Sequence, residues 1–316
     1  MTLACVFPGQ GSQSVGMLSE LAANHPSIGH TFEEASSALG YDLWQRVSNG
    51  PAEELDQTEC TQPAMLVAGV ATWRLWAAQG GARPALVSGH SLGEFTALVC
   101  AGAIDFAAAV TLVRDRGRYM QSAVPAGKGA MAAILGLEDA AVEAVCVEAA
   151  HGEVVEAVNY NAPGQVVIAG QATAVERALA AALARGAKRA LLLPVSVPAH
   201  SSLMRGAAAQ LQERLAGISI STPAIEYLSA VDAQAHRDPE DIRALLVRQL
   251  ASPVRWTAAV GALSAHGVQA IVECGPGKVL TSLNKRIERR RDTQCLAVDN
   301  EASLRAALEA TGSMTR

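Results

Sequence analysis

The sequence predicts an α/β protein built in two parts, on three observations. Short apolar runs alternate with helical patterns toward both ends of the chain, one of those runs empties into Gly-x-Ser-x-Gly, and residues 127–194 carry a βαββαβ order of their own. A chain of 316 residues is long enough to bury a substantial core. Half of its residues are hydrophobic but only 4% are aromatic, so Ala, Val, Leu and Ile must fill that core.

Leu3 to Phe7 is the first apolar run, a buried strand that empties into Pro8-Gly9-Gln10-Gly11-Ser12-Gln13. Such a loop either brings backbone N–H groups close to a ligand or is an ordinary tight turn. It is not a phosphate-binding Walker loop, because no Gly-Lys-Ser/Thr follows. Helical patterns occupy Met17 to Ala23 and Ser27 to Leu39, and a long apolar helix is expected from Pro63 to Ala78. Pro84 to Gly89 reads as a strand and Ser91 to Ala101 as the opening of a helix. Gly89-His90-Ser91-Leu92-Gly93 therefore sits on a strand–turn–helix junction, the setting of a nucleophile elbow. A serine hydroxyl is a poor nucleophile at neutral pH and needs that presentation, a base, and N–H groups for an oxyanion. The elbow marks the large part as α/β-hydrolase-like. A helix from Asp105 to about Val124 follows, with Arg114, Asp115, Arg116 and Arg118 near its middle, residues that on most helices are solvated or paired. Pro125-Ala126-Gly127-Lys128-Gly129 breaks it.

The next segment reads as strand Ala130 to Leu135, helix Asp139 to Ala150, strand Val154 to Asn159, strand Gln165 to Ala169, helix Ala172 to Arg185 and strand Arg189 to Leu193. That order is ferredoxin-like. The expected organisation is a discontinuous catalytic domain, residues 1–126 and 195–316, with a ferredoxin-like subdomain inserted at 127–194. Helices from Ser202 to Ala216, from Pro239 to Leu250 and from Trp256 to Ala265, strands at Ile225 to Leu228 and Gln269 to Glu273, a basic helix from Val279 to Arg290, a strand at Cys295 to Val298 and a helix from Ala302 complete the chain.

A formal net charge of −5 argues against nucleic acid as the main partner, since phosphate binding relies on basic patches. Six scattered cysteines, without Cys-x-x-Cys or zinc spacing, read as small buried hydrophobes in a reducing cytoplasm, and no metal site is expected. The N-terminus lacks the charged and apolar regions of a signal peptide. The most apolar stretch, Phe95 to Val113, is broken at Gly102-Ala103-Ile104-Asp105 and reads as core, so no membrane association is expected.

A serine nucleophile needs a base. His25, His30, His151, His236 and His266 fall in helices or polar loops, and His90, beside Ser91, need not face the same way. His200 follows an apolar run at a strand-to-helix junction, where α/β folds position functional groups. The alternative is that His200 only caps a helix.

Six stretches in order resemble the malonyl-CoA:acyl carrier protein transacylases of bacterial fatty acid synthesis. They are Phe7-Pro8-Gly9-Gln10-Gly11-Ser12-Gln13, Gly89-His90-Ser91-Leu92-Gly93-Glu94, Arg116-Gly117, Asn159-Tyr160-Asn161-Ala162-Pro163-Gly164-Gln165, Val197-Pro198-Ala199-His200 and Glu273-Cys274-Gly275-Pro276-Gly277-Lys278. The resemblance implies Ser91 as nucleophile and His200 as general base, with no acidic third member. It implies an oxyanion hole from the N–H groups of Gln10 and Leu92, Arg116 on the free malonyl carboxylate, and the Gln249 carbonyl orienting the imidazole. Its substrates would be malonyl-CoA and phosphopantetheinylated acyl carrier protein, with no cofactor. Ala199 departs from the serine common at that position in the family.

Other readings stay open on the residues alone: an esterase or thioesterase with the same elbow, a transacylase serving polyketide assembly or malonate decarboxylation, and an inactive carrier-binding module. Lys278, Lys285, Arg286, Arg289, Arg290 and Arg291 gather on and after one helix. They either dock the acidic carrier protein, near Lys285, Arg286 and Arg289, or complement a helix dipole.

Overall fold

Strand β1 (Thr2–Phe7) is buried at every residue after Thr2, as a strand covered on both faces must be. The chain then winds through α1 (Ser19–Asn24), α2 (Pro26–Leu39), α3 (Leu43–Asn49), α4 (Ala52–Leu55) and α5 (Thr58–Ala78). It rejoins the sheet as β2 (Leu86–Gly89), followed by α6 (Gly93–Cys100) and α7 (Phe106–Ser122). Next come β3 (Gly129–Leu135), α8 (Asp139–Ala150), β4 (Val155–Ala162), β5 (Gln165–Gln171), α9 (Ala172–Ala184) and β6 (Arg189–Leu192). A 3-10 turn, Ser202–Met204, leads into α10 (Arg205–Ala216). The remaining elements are β7 (Glu226–Leu228), β8 (Ala235–His236), α11 (Pro239–Gln249), α12 (Trp256–Ala265), β9 (Val268–Cys274), α13 (Val279–Ile287), β10 (Gln294–Val298) and α14 (Glu301–Gly312). The structure is a computed structural model that describes residues 2–195, 197–288 and 293–312.

Among the described residues the strands form two sheets. The larger has the order β10-β9-β1-β2-β7-β8, parallel except for β8, which runs antiparallel to β7. The smaller has the order β4-β5-β3-β6 and is antiparallel throughout. This is the ferredoxin-like order expected from the βαββαβ pattern, within an α/β fold. Because side chains alternate along a strand, Ala132 and Ile134 of β3 face α8 and α9, while Met131 packs with Val158 and Val167 toward Leu193 and Ala199. One face of the small sheet is thus its own core and the other faces the large sheet's loops. The two are joined where Val254 N–H donates to the Val158 carbonyl at 2.8 Å and Tyr160 N–H to the Val254 carbonyl at 2.9 Å.

Three differences from the sequence expectation have physical reasons. Helix α5 begins at Thr58, with Pro63 inside it. Pro63 is its sixth residue, past the unpaired N–H groups of the first turn, so it forfeits one intrahelical hydrogen bond, and the helix continues through it because nearly every residue from Cys60 to Thr72 is buried against the core. The short helices α3 and α4 are additional, held by tertiary packing at Leu43, Val47 and Leu55. Helix α13 ends at Ile287 because Glu288 turns to extended backbone, φ −77° and ψ 107°; residues 289 and 290 of the expected extension lie outside the described residues. No helix among the described residues is long and apolar enough to cross a membrane.

Candidate active site

Strands β1 and β2 run in parallel with Phe7 opposite Gly89, so they end at the same level. His90 N–H donates to the Phe7 carbonyl at 3.0 Å, which fixes the loop after β1 beside the turn after β2. Both openings lie at the carboxyl ends of adjacent strands, the usual place for a site in such a sheet. Ser91 is then thrown into left-handed conformation, φ 53°. The turn depends on Gly93, where an added Cβ would lie 2.0 Å from the Phe7 carbonyl oxygen. The expected elbow is present, on the expected residues.

His200 lies in the turn before the 3-10 segment Ser202–Met204, also with positive φ, 68°. Its Nε2 is 2.8 Å from Ser91 Oγ, and its Nδ1 is 2.9 Å from the Gln249 carbonyl oxygen. A carbonyl oxygen can only accept, so the proton belongs on Nδ1 and the lone pair on Nε2 faces the serine. Burial and the nearby Arg116 charge hold the imidazole down to about 3, leaving it neutral at physiological pH. His90, by contrast, points away: its Nε2 is 2.8 Å from Asn161 Oδ1 and its ring lies against Trp256.

Arg116 comes from the middle of α7 and is 1% exposed. Its guanidinium donates to Gln62 Oε1 at 2.8 Å, to Gln249 Oε1 at 2.8 Å and to Ser91 Oγ at 3.3 Å. Helix α7 approaches α5 closely because the next residue is Gly117, where a Cβ would lie 2.6 Å from the Thr58 carbonyl oxygen. The pairing of Arg with Gly in the sequence is explained by that contact. Arg116 Nε is buried without a hydrogen-bond partner among the described residues, an orphaned donor at the centre of the site. Burial lowers the guanidinium to about 9, offset by Glu94, and it stays charged at neutral pH.

These groups line a cavity of about 440 Å³ between the two sheets, together with Gln10, Leu92, Met131 and Asn159. The backbone N–H groups of Gln10 and Leu92 donate no hydrogen bond among the described residues. The structure thus gathers Ser91, His200, Arg116, Gln10 and Leu92 around one cavity, with Gln249 buried behind them and bonded to Arg116 and His200. Lys285 and Arg286 lie exposed on α13, away from that cavity, and Arg286 is bonded to Gln165 Oε1 and, at 3.2 Å, to the Pro163 carbonyl. Arg289, the third residue expected there, lies outside the described residues, as do Arg290 and Arg291. Among the described residues no group of three or more His, Cys, Asp or Glu side chains is placed to hold a metal.

Four side chains at the site carry no role in the sequence expectation. Gln62 falls just before the expected helix start at Pro63 and carries no expected role. Asn161 carried no role until the small sheet brought it to His90. The Gln249 side chain, apart from its carbonyl, donates to the Ser91 carbonyl at 2.9 Å. Glu94, a carboxylate in an otherwise apolar helix opening, was the one readable signal: a charge three residues after the serine cannot be buried without partners.

Residues 4–299 match the family described as the acyl transferase domain. The chain is 58% identical over 306 residues to the malonyl CoA-acyl carrier protein transacylase of Salmonella typhimurium, covering 96% of this chain and 98% of that one. It resembles the crystal structure of an acyl carrier protein S-malonyltransferase from Vibrio cholerae at a TM-score of 0.93 and 55% identity, over 97% and 99% of the two chains. A type II polyketide synthase acyl-carrier protein in complex with its malonyl-transacylase matches at a TM-score of 0.96 and 52% identity, over 98% and 100%.

Proposed function

This chain belongs to the acyl transferase domain family, among its malonyl CoA-acyl carrier protein transacylases, and from that premise we propose how its own residues move a malonyl group from CoA to the thiol of acyl carrier protein. The observation that carries the reading is the distance of 3.3 Å between the Arg116 guanidinium and Ser91 Oγ. A malonyl ester on that oxygen has its free carboxylate two carbons from the reacting carbonyl, within reach of the guanidinium. The orphaned Nε donor gives the carboxylate a partner it would otherwise lack.

In the proposed cycle Ser91 Oγ attacks the thioester carbonyl as its proton passes to His200 Nε2. The N–H groups of Gln10 and Leu92 take the oxyanion. Collapse breaks the C–S bond, and the departing CoA sulfur takes the proton from the imidazole. The phosphopantetheine thiol then gives its proton to His200 and attacks the ester, and Ser91 recovers its proton as the new thioester forms. Thioester, ester and thioester follow one another at similar energy, so this cycle calls for neither metal nor nucleotide. Water must be kept from the ester, and the cavity's Met131, Leu193, Pro194 and Val195 supply apolar walls.

The pathway served is proposed as fatty acid synthesis. The similarity to a transacylase bound to a type II polyketide carrier favours polyketide assembly as the second reading. For carrier docking we propose the exposed face of α13 at Lys285 and Arg286, since an acidic chain needs a local basic patch to receive an acidic partner.

Incubation with labelled malonyl-CoA tests the mechanism. Covalent label on the wild-type protein, absent from Ser91→Ala, is the expected result. Label that survives in Ser91→Ala contradicts it.

A further inference from the structure

Glu94 sits in the first turn of α6, three residues after Ser91, and is fully buried. Its carboxyl accepts from the Tyr227 hydroxyl, from Ser229 Oγ at 3.0 Å and from Ala230 N–H at 3.3 Å. Ser229 Oγ itself accepts from Val231 N–H at 3.1 Å, which leaves its proton for Glu94. Every one of these partners donates, the surroundings of an ionised carboxylate. Gln249 completes the shell. Its side-chain amide lowers the Glu94 carboxyl, donates to the Ser91 carbonyl and accepts from Arg116. The two buried charges of the site, Glu94 and Arg116, act on one another, and the Gln249 amide bonded to Arg116 also acts on Glu94.

That balance changes when a substrate carboxylate reaches Arg116. One guanidinium then faces two carboxylates in a buried pocket, and repulsion between them favours protonation of one. Resting on the malonyl-transfer reading above, we propose that Glu94 is a positioning residue, the resident counter-charge of Arg116 acting through Gln249, and that it takes up a solvent proton when a malonyl carboxylate binds. An acetyl group brings no carboxylate and triggers no uptake. Glu94 would therefore couple substrate charge to the site's protonation, and hold the Gln249 amide in the orientation that serves both Arg116 and Ser91.

Burial already pushes the Glu94 carboxyl up to about 7, against the lowering effect of Tyr227, Gln249, Ser229 and Ala230. A second negative charge nearby needs only to carry it past neutrality. Among the elements packed on α6, the charged or titratable groups facing the carboxyl are Arg116 of α7 and Tyr227 of β7. Helix α5 and strands β1 and β2 give it no hydrogen bond or ion pair among the described residues. Tyr227, fully buried, is held well above its ordinary value and stays protonated throughout the relevant range. His200, held down to about 3, stays neutral through it.

Calorimetric titration of malonyl-CoA and acetyl-CoA into Ser91→Ala protein tests this, at about pH 7.5 in two buffers of different ionisation heat. The expected result is uptake approaching one proton with malonyl-CoA and none with acetyl-CoA, lost on adding Glu94→Gln. Malonyl-CoA affinity should fall by up to about tenfold per pH unit above about 7 in the first protein and stay flat in the second. Equal uptake from both ligands, or uptake that survives Glu94→Gln, overturns the proposal. If malonyl-CoA binds no more tightly than acetyl-CoA, the carboxylate clamp fails and this proposal falls with it. Tighter malonyl binding without proton uptake removes the Glu94 role alone. Should Glu94→Gln fail to fold, Tyr227→Phe removes one donor to the carboxylate and should move the pH range of uptake upward; an unmoved range is again a refutation.

Discussion

Ser91 Oγ lies 2.8 Å from His200 Nε2, and both residues hold left-handed backbone, at φ 53° and 68°. Each such non-glycine conformation costs on the order of 1–3 kcal/mol and persists only where its surroundings impose it. Here β1, β2 and the Gln249 carbonyl do so, and the pair is preorganised before substrate arrives.

In the proposed cycle the imidazole accepts the serine proton, which requires it to be neutral. Its ordinary value is near 6.5, and burial and Arg116 hold it down to about 3, so lowering the pH through 6.5 leaves it unprotonated. Initial rates of malonyl transfer, measured as kcat/KM between about pH 5 and 8, should show no acid limb centred near 6.5. An acid limb at that value would mean a solvated imidazole and a different arrangement in solution.

The elbow, the histidine that meets it and the ferredoxin-like order were legible because each is local: an apolar run into Gly-His-Ser-Leu-Gly, a histidine at a strand-to-helix junction, a βαββαβ rhythm. What was not legible depends on contacts between distant segments. Gln62 reaches Arg116 only because Gly117 lets α7 sit on the start of α5, and no period in either helix reports that. Asn161 meets His90 across two sheets. Glu94 was visible as an anomaly, but its partners come from β7, the loop after it and α11, which only the fold assembles.

The close approach at the elbow gives a stability prediction. In Gly93→Ala the new methyl would stand 2.0 Å from the Phe7 carbonyl oxygen, which is strand backbone and cannot turn aside. Either β1 or the start of α6 must shift, and overpacking of that kind costs on the order of 1–3 kcal/mol or more. Urea denaturation should show a midpoint lowered accordingly. Any folded fraction should have lost transfer activity out of proportion to its stability, because the shift displaces Ser91 from His200.

Docking on α13 predicts a kinetic signature, and the two cations there are not equivalent. Arg286 clips α13 to Gln165 and the Pro163 carbonyl, so reversing its charge also releases the β4–β5 turn. Lys285 is exposed and in no ion pair among the described residues, which makes Lys285→Glu the cleaner variant. It should raise the KM for carrier protein about three- to tenfold at low salt with kcat unchanged, and the difference should shrink as salt screens the charges. An unchanged KM at low salt would move the docking surface elsewhere.

Arg116→Ala separates a carboxylate clamp from a residue that merely supports the serine. Removing one partner of a buried, hydrogen-bonded charge pair costs about 2–5 kcal/mol, which is about 30-fold to several thousandfold in rate or affinity. That loss applies to malonyl-CoA alone, since acetyl-CoA brings no carboxylate to lose a partner. The guanidinium also donates to Gln62 and Gln249, so some loss common to both substrates is expected from the freed amides. The informative quantity is therefore the ratio of kcat/KM for malonyl- over acetyl-CoA, which should fall by on the order of 10²-fold or more. The conservative Arg116→Lys keeps the charge but not the fork, and should recover only part of the ratio. Equal losses for both substrates would reduce Arg116 to a structural role beneath Ser91.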